Sequence, residues 1–266
     1  MKRENFMNHI SLFGLSISDT TLIDASASAV NDAKLGIQRK IYFINAHCIN
    51  VAASDINYLN VLREDALLFA DGSGMRLASK LAGFSLKDNV NGTDLFPLIC
   101  HDAAISGIKL ALLGARPGIA KRCADNMKNQ FPNLQIVWIH DGYFTANDET
   151  KIIESINSSG AQILFVAMGV PLQELWIDRN AEKLHVPVIL GVGALFDFYS
   201  GTIPRAPQRL RQLGLEWLFR FVIEPRRMFA RYILGNPVFI VRAIWRRMRS
   251  QKFLQEAPLI NSIESK

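Results

Sequence analysis

The chain has 266 residues, 49% of them apolar, which is enough for one large α/β domain with a real core and argues against disorder outside the ends. The formal net charge of +6 is uneven: residues 205–252 hold twelve Lys/Arg against two Asp/Glu, whereas residues 1–204 hold seventeen against twenty. The body is therefore not a polycationic surface, and the basic block near the C-terminus points to an anionic surface or ligand there.

In chain order, the opening MKRENFMNHISLFGL lacks the apolar core of a signal peptide. ISLFGL (10–15) predicts a strand, with Ser18 or Asp19 capping a helix to about residue 38. KIYFINA (40–46) is the next strand, followed by a helix from about Ser54 to Arg63. ALLFAD (66–71) is a third strand, a helix runs over roughly 74–82, and another starts near Thr93 or Asp94. The rhythm then repeats, with strands at 108–114, 134–140, 162–169 and 187–198 separated by helical stretches. This alternation predicts an α/β fold, with a doubly wound, mainly parallel, Rossmann-like sheet. Residues 1–204 form the expected catalytic domain, in two halves of about 1–106 and 107–204. Gly201, Pro204 and Pro207 mark the turn into a basic helical C-terminal appendage, 205–266.

In the appendage, a helix would put Leu210, Leu213, Trp217 and Phe221 on one face. A second helix starting at Pro237 would line up Val238, Val241, Trp245 and Met248, with Arg242, Arg246 and Arg249 elsewhere. That pattern suits an anionic membrane surface, and a second copy of the chain, giving a homo-oligomer, is the other occupant it would suit. YILGNPVFIVRAIW is broken by Pro237 and Arg242 and is too short and charged to span a bilayer. No nucleic-acid reader motif accompanies the arginines, so nucleic acid is not expected as a partner. Cys48, Cys100 and Cys123 are odd in number and lack CxxC spacing, which supports neither a disulfide framework nor a zinc site and favours a reducing, cytoplasmic compartment.

Ligands of open α/β sheets collect beyond the C-terminal strand ends. Asp71, at one such end in ADGSG, reads either as a helix cap or as a carboxylate able to take a proton from a sugar hydroxyl. GARPG (114–118) reads as a phosphate-cradling turn or a plain tight turn. With Asp141 after the next strand, it keeps open a nicotinamide-dependent oxidoreductase. Gln173 in MGVPLQELW could bond a sugar or a uracil edge, or serve the helix start together with Glu174. Gly191 and Gly193 would let backbone approach a nucleotide, and Asp197 would need a partner, a C-terminal arginine being the expected one. His9, His47, His101, His140 and His185 show no HxxxH or HExxH spacing and no DxD motif is present, so neither a metal nor another cofactor is expected. Arginines or helix dipoles would then stabilise a departing diphosphate.

Taken together, NAHCINVAASD, ADGSGMRLASKLAG, VNGTDLF, LLGARPG, VAMGVPLQELW, GVGALFDFYSG and PRAPQRLRQLGLEWLFRFVIEPRRMFARY resemble the WecG/TagA/CpsF family of bacterial glycosyltransferases, over about residues 10–232. The resemblance implies an inverting, metal-independent enzyme that moves a hexose-type sugar, N-acetylmannosamine-like or related, from a UDP-sugar donor to a polyprenyl-diphosphate-linked sugar acceptor. It implies Asp71 as the base and Asn45, Gly72, Asn91, Gly114, Gly169, Gln173 and Gly193 around the substrates. It also implies that Arg205, Arg220 and one of Arg226 or Arg227 close over the diphosphate. Such an enzyme would work in cell-surface polysaccharide synthesis, peripherally on the inner face of the cell membrane. A non-catalytic membrane-bound component of a polysaccharide assembly complex is the remaining alternative. Two departures stand out: many members carry Thr-x-Asn where this chain has Phe43-Ile44-Asn45, and many carry arginine where Asn89 stands.

Overall fold

The computed structural model describes residues 8–256, with side chains described as far as residue 248. Residues 1–7 and 257–266, and the Arg249 side chain, lie outside the described residues. The strands are β1 (Asn8–Leu12), β2 (Leu15–Asp19), β3 (Arg39–Ile44), β4 (Ala66–Ala70), β5 (Lys109–Gly114), β6 (Gln135–His140), β7 (Ile163–Ala167) and β8 (Val188–Gly191). They form one eight-stranded sheet in the order β1-β2-β4-β3-β8-β7-β5-β6. Every pair is parallel except the β1–β2 hairpin at one edge. The expected doubly wound, mainly parallel architecture is thus the one observed.

That edge hairpin departs from the sequence reading, which took residues 10–15 as one strand and capped the next helix at Ser18 or Asp19. Phe13 and Gly14 both take positive φ, 56° and 75°, and turn the chain back within the apolar run. Ser18 and Asp19 therefore sit in β2, and Thr21 caps α1 (Leu22–Leu35) by accepting from the Asp24 N–H. Downstream, the helix expected from about Ser54 to Arg63 is α3 (Ile56–Arg63), capped by Asp55, and an unforeseen short helix, α2 (Ala46–Ala52), capped by Asn45, precedes it. α4 (Gly72–Leu81) and α5 (Gly92–Ser106) follow, the latter capped by Asn91 with Thr93 and Asp94 in its first turn, as expected.

Both faces of the sheet are covered, because strand residues alternate between two cores. Tyr42 and Ile44 of β3 join the side built on α2, α3, α4, α7 (Ala146–Ser159) and α8 (Leu172–Asn180). Ile41 and Phe43 join the side built on α1, α5, α6 (Ile119–Gln130) and α9 (Leu195–Tyr199).

The appendage runs through three short helices, α10 (Gln208–Gln212), α11 (Glu216–Ile223) and α12 (Pro225–Met228), then a π-helical turn Phe229–Leu234, into a long helix, α13 (Gly235–Glu256). The single helix expected to align Leu210, Leu213, Trp217 and Phe221 is broken at Gly214, whose φ is 71°. α13 starts two residues ahead of Pro237. Phe239 and Ala243, 1% and 7% exposed, dock it on the body next to α2 and α4. Val238, Val241, Trp245 and Met248 remain outward, as the spacing predicts, at 45%, 65%, 52% and 58% exposure.

Gly114 ends β5 at φ 130°, and a Cβ there would meet the Ala167 carbonyl oxygen at 2.4 Å. The backbone of β7 occupies that space, so no flexible side chain can yield. Gly114→Ala is expected to destabilise the fold by about 2 kcal/mol or more, from backbone strain plus overpacking. Urea denaturation of the variant against wild type measures it.

Candidate active site

A cavity of about 760 Å³ opens at the C-terminal edge of β3 and β4 and is roofed by residues 211–240 of the appendage. Its volume lies in the range of small-molecule sites. Asp71, Asn45, Asn89 and Asn91 line the sheet side; Arg211, Arg220 and Arg231 line the roof, with Phe198, Trp217 and Tyr232 between.

Asp71 occupies the N-cap position of α4, yet its side chain makes no capping hydrogen bond. The first helical amide, Gly72 N–H, donates to Asn89 Oδ1 at 2.6 Å. The Asp71 backbone N–H donates to Ile44 O at 2.8 Å, which fixes the residue at the junction of β3 and β4. Its carboxylate keeps one side-chain partner, Asn45 Nδ2, at 3.2 Å from Oδ2. Asn45 Oδ1 meanwhile caps α2 by accepting from His47 and Cys48 N–H. Of the two roles the sequence left open, Asp71 makes no side-chain cap bond, and it faces the cavity. Loss of water raises the Asp71 pKa above its ordinary value, while the Asn45 bond and the Arg231 charge pull the other way. A carboxylate so placed is a stronger base than one in water.

Cationic groups face it. Arg231 lies on the π-helical turn, where the altered register carries both Arg231 and Tyr232 to the cavity. Among the described residues Arg231 forms no ion pair, and its Nε has no hydrogen-bond partner. Arg220 is mostly covered, stacks over Phe198 at 5.0 Å and meets Glu224 only at 3.8 Å. Burial lowers its pKa. His47, beside them, is pushed down to about 4 by burial and then by Arg231, so it is neutral at physiological pH. An unpaired guanidinium, Arg231, and the loosely paired Arg220 opposite a carboxylate suit a ligand with an anionic part and a hydroxyl-bearing part.

The other expected site residues divide. Gly72 and Asn91 line the cavity. Asn91 Oδ1 and Nδ2, however, are held by the Asp94 amide and carboxylate at 2.8 and 2.7 Å. Arg205 anchors the appendage to the body: its Nη2 donates to Asp94 Oδ1 at 2.7 Å, beside Arg211 Nη1 at 3.2 Å. Arg226 and Arg227 are exposed and outside the cavity lining, and Arg227 pairs with Glu224 at 3.0 Å. Gln173 is 3% exposed. Its Oε1 accepts from Gly169 and Gly193 N–H at 3.2 and 2.8 Å, and its Nε2 donates to Glu174 at 2.8 Å. Gln173, Gly169 and Gly193 thus tie the ends of β7 and β8 together, and like Gly114 they lie outside this cavity lining. Asp197 makes no ion pair with an appendage arginine among the described residues. Sequence reasoning missed Arg231 altogether; only its place in the FARY segment hinted at it.

The nicotinamide alternative finds no support in this geometry. Asp141 Oδ1 accepts from Tyr143 N–H, and Ala115 O accepts from Gly142 N–H, so the GARPG turn is closed against the end of β6.

Comparison with known proteins agrees. The model of the "Glycosyl transferase WecG/TagA/CpsF family" matches residues 10–253. A protein of Bacillus subtilis (strain 168) named N-acetylglucosaminyldiphosphoundecaprenol N-acetyl-beta-D-mannosaminyltransferase is 29% identical over 208 residues, 78% of this chain and 80% of that protein. A protein of the same name from Bacillus spizizenii (strain ATCC 23059 / NRRL B-14472 / W23) is 29% identical over 201 residues, 76% of this chain and 77% of its own length.

Behind the cavity, Glu174 is buried with no partner for Oε2, and burial raises its pKa from 4.5 to about 7. A raised folded pKa means that the folded chain holds this proton where the unfolded chain has lost it. Stability from this group is therefore full below about pH 4.5 and declines as pH rises through about 7. Glu174→Gln keeps an acceptor for Gln173 and removes the titration. It is expected to melt higher than wild type at pH 8, by a margin on the order of 3 kcal/mol in stability, with the gain vanishing near pH 4. Calorimetric melts of both proteins across that range measure the difference.

Proposed function

Because the chain belongs to the WecG/TagA/CpsF family of glycosyltransferases, we propose that it moves a hexose-type sugar, N-acetylmannosamine-like or related, from a UDP-sugar to a sugar carried on a polyprenyl diphosphate. The observation that carries the reading is Asp71, which makes no side-chain cap bond and faces two arginines across one cavity. The relatives' names support the acceptor class.

In the proposed reaction Asp71 takes the proton from the acceptor hydroxyl as that oxygen attacks the donor anomeric carbon. The bond from that carbon to the UDP oxygen breaks in the same displacement, so configuration inverts. Asn45, bonded to Asp71 Oδ2, holds the carboxylate in line. Arg231 and Arg220 neutralise the leaving diphosphate, a role that elsewhere falls to a metal ion. Arg211 and Arg205, fixed on Asp94, hold the roof over the site.

No helix among the described residues is long and apolar enough to cross a membrane. The exposed apolar side of α13 supports peripheral attachment to the inner face of the cell membrane, where a lipid-linked acceptor resides. The same side would also accept a second copy of the chain.

Transfer from UDP-sugars to a short-chain polyprenyl-diphosphate acceptor, with and without EDTA, tests the reading; product unaffected by EDTA is expected. Asp71→Asn should retain UDP binding and lose about 100-fold or more in kcat, the scale of a lost general base. Near-normal turnover would remove Asp71 from the role. Arg231→Ala should lower kcat by roughly 100-fold, as for a deleted transition-state contact, with the product still inverted. Arg226→Ala should lower it far less.

A further inference from the structure

A second cavity, of about 540 Å³, lies where the β1–β2 turn, the C-terminal end of α4 and α13 meet. Phe13, Phe84 and Leu81 give it apolar walls, and Arg246 and Arg247 give it charge. A third cation reaches the same turn from α3. Arg63 Nη2 lies 3.3 Å, and Arg246 Nη1 3.5 Å, from the point where Gly14 would carry a Cβ. With no side chain at Gly14, the two guanidinium groups converge over bare backbone. Arg246 also sits over the Phe13 ring, 5.9 Å from its centroid. Arg247 Nη1 donates to Leu81 O at 2.7 Å, which holds it at the rim.

Among the described residues none of Arg63, Arg246 and Arg247 has a carboxylate partner. Like charges brought together without a counter-ion repel, and the repulsion is relieved when an anion enters. Burial and the Arg63 charge both lower the Arg246 pKa, in keeping with that strain. The surroundings are not those of a site for a small soluble anion. Phe84 of the cavity lining is 44% exposed, and α13, which supplies Arg246 and Arg247, also exposes Val241, Ile244 and Met248. A cationic pocket rimmed by exposed apolar groups matches a molecule with a phosphate at one end and acyl chains at the other.

We infer that this cavity binds the phosphate of an anionic phospholipid headgroup, with Arg63 and Arg246 taking its oxygens over Gly14 and the outward residues of α13 meeting the acyl region. The inference rests on the reading that the chain works at a membrane surface, and adds to it a specific contact and an orientation. α4 spans about 15 Å from Gly72, next to Asp71, to Leu81, so this contact would hold the active-site cavity at a set distance from the leaflet.

Vesicle co-sedimentation tests it, using the full chain with phosphatidylglycerol-containing and all-phosphatidylcholine vesicles. Wild type should prefer the anionic vesicles. The Arg63→Ala/Arg246→Ala variant should bind them about tenfold or more weakly, as expected for two basic residues at an anionic surface. Its melting curve and its turnover on a water-soluble short-chain acceptor should stay unchanged. Arg226→Ala/Arg227→Ala removes the same formal charge and should weaken vesicle binding much less. Equal losses in the two variants would mean diffuse charge attraction and overturn the pocket, while leaving membrane association intact. Wild type indifferent to vesicle charge would overturn both. Inorganic phosphate should compete poorly; if it released the protein from vesicles and raised the melting point as far as the anionic vesicles do, the site would be one for soluble anions.

Discussion

The Asp71 carboxylate, which makes no cap bond to the helix it precedes, decides what the rest of the site can do. The first turn of any helix presents unpaired N–H groups, and an aspartate just before it ordinarily accepts one of them. A carboxylate engaged in that way is stabilised as an anion and becomes a poorer base. Here Asp71 makes no such bond, Asn89 Oδ1 accepts the Gly72 N–H, and the carboxylate faces the cavity. The Asn45 amide then does two tasks with its two ends, capping α2 with the oxygen and orienting Asp71 with the nitrogen. Neighbouring strand ends thus cooperate: β3 supplies Asn45, β4 supplies Asp71, and the loop before α5 supplies Asn89.

The second half of the site comes from far along the chain. The appendage is seated by the Asp94 carboxylate, which receives Arg205 and Arg211, and by Phe239, which packs against Gly74 at 3.3 Å from where a Cβ would be. Ser73 Oγ donates to Gly214 O, and Asn50 Nδ2 to Gly235 O, at opposite ends of the roof. The arginines that do this seating have spent their charge on Asp94. Arg231 has not, and it faces the cavity. The division between paired arginines that hold the roof and an unpaired one that meets the ligand follows from counting carboxylates. Number of arginines alone does not reveal it.

Much of the fold was legible because buried parallel strands read as short apolar runs between amphipathic helices. The hairpin was not, since its turn falls inside an apolar run and Phe13, a bulky residue, takes positive φ. Asp71 and Asn45 were visible in the sequence as residues at the C-terminal strand ends. Gln173 was visible as important, but its amide braces Gly169 and Gly193 behind the cavity, a use that no local pattern distinguishes from ligand binding. The arginines were the hardest to assign. Gly214 and the π-helical turn change the helical phase twice between Arg211 and Arg231, so residues spaced as neighbours on an ideal helix diverge. Arg226 and Arg227 leave the cavity by that route and Arg231 enters it.

The account stands on the state of one carboxylate, and that state can be read directly. A carbon-13 titration of aspartate-labelled protein, with the Asp71 signal assigned by its loss in Asp71→Asn, gives the pKa of this residue in the folded chain. An uncapped base in a dry cavity wall should titrate above its ordinary 3.8. A value below 3.8 would mean that the helix start holds the carboxylate after all, and that the proton acceptor must be sought elsewhere in the cavity.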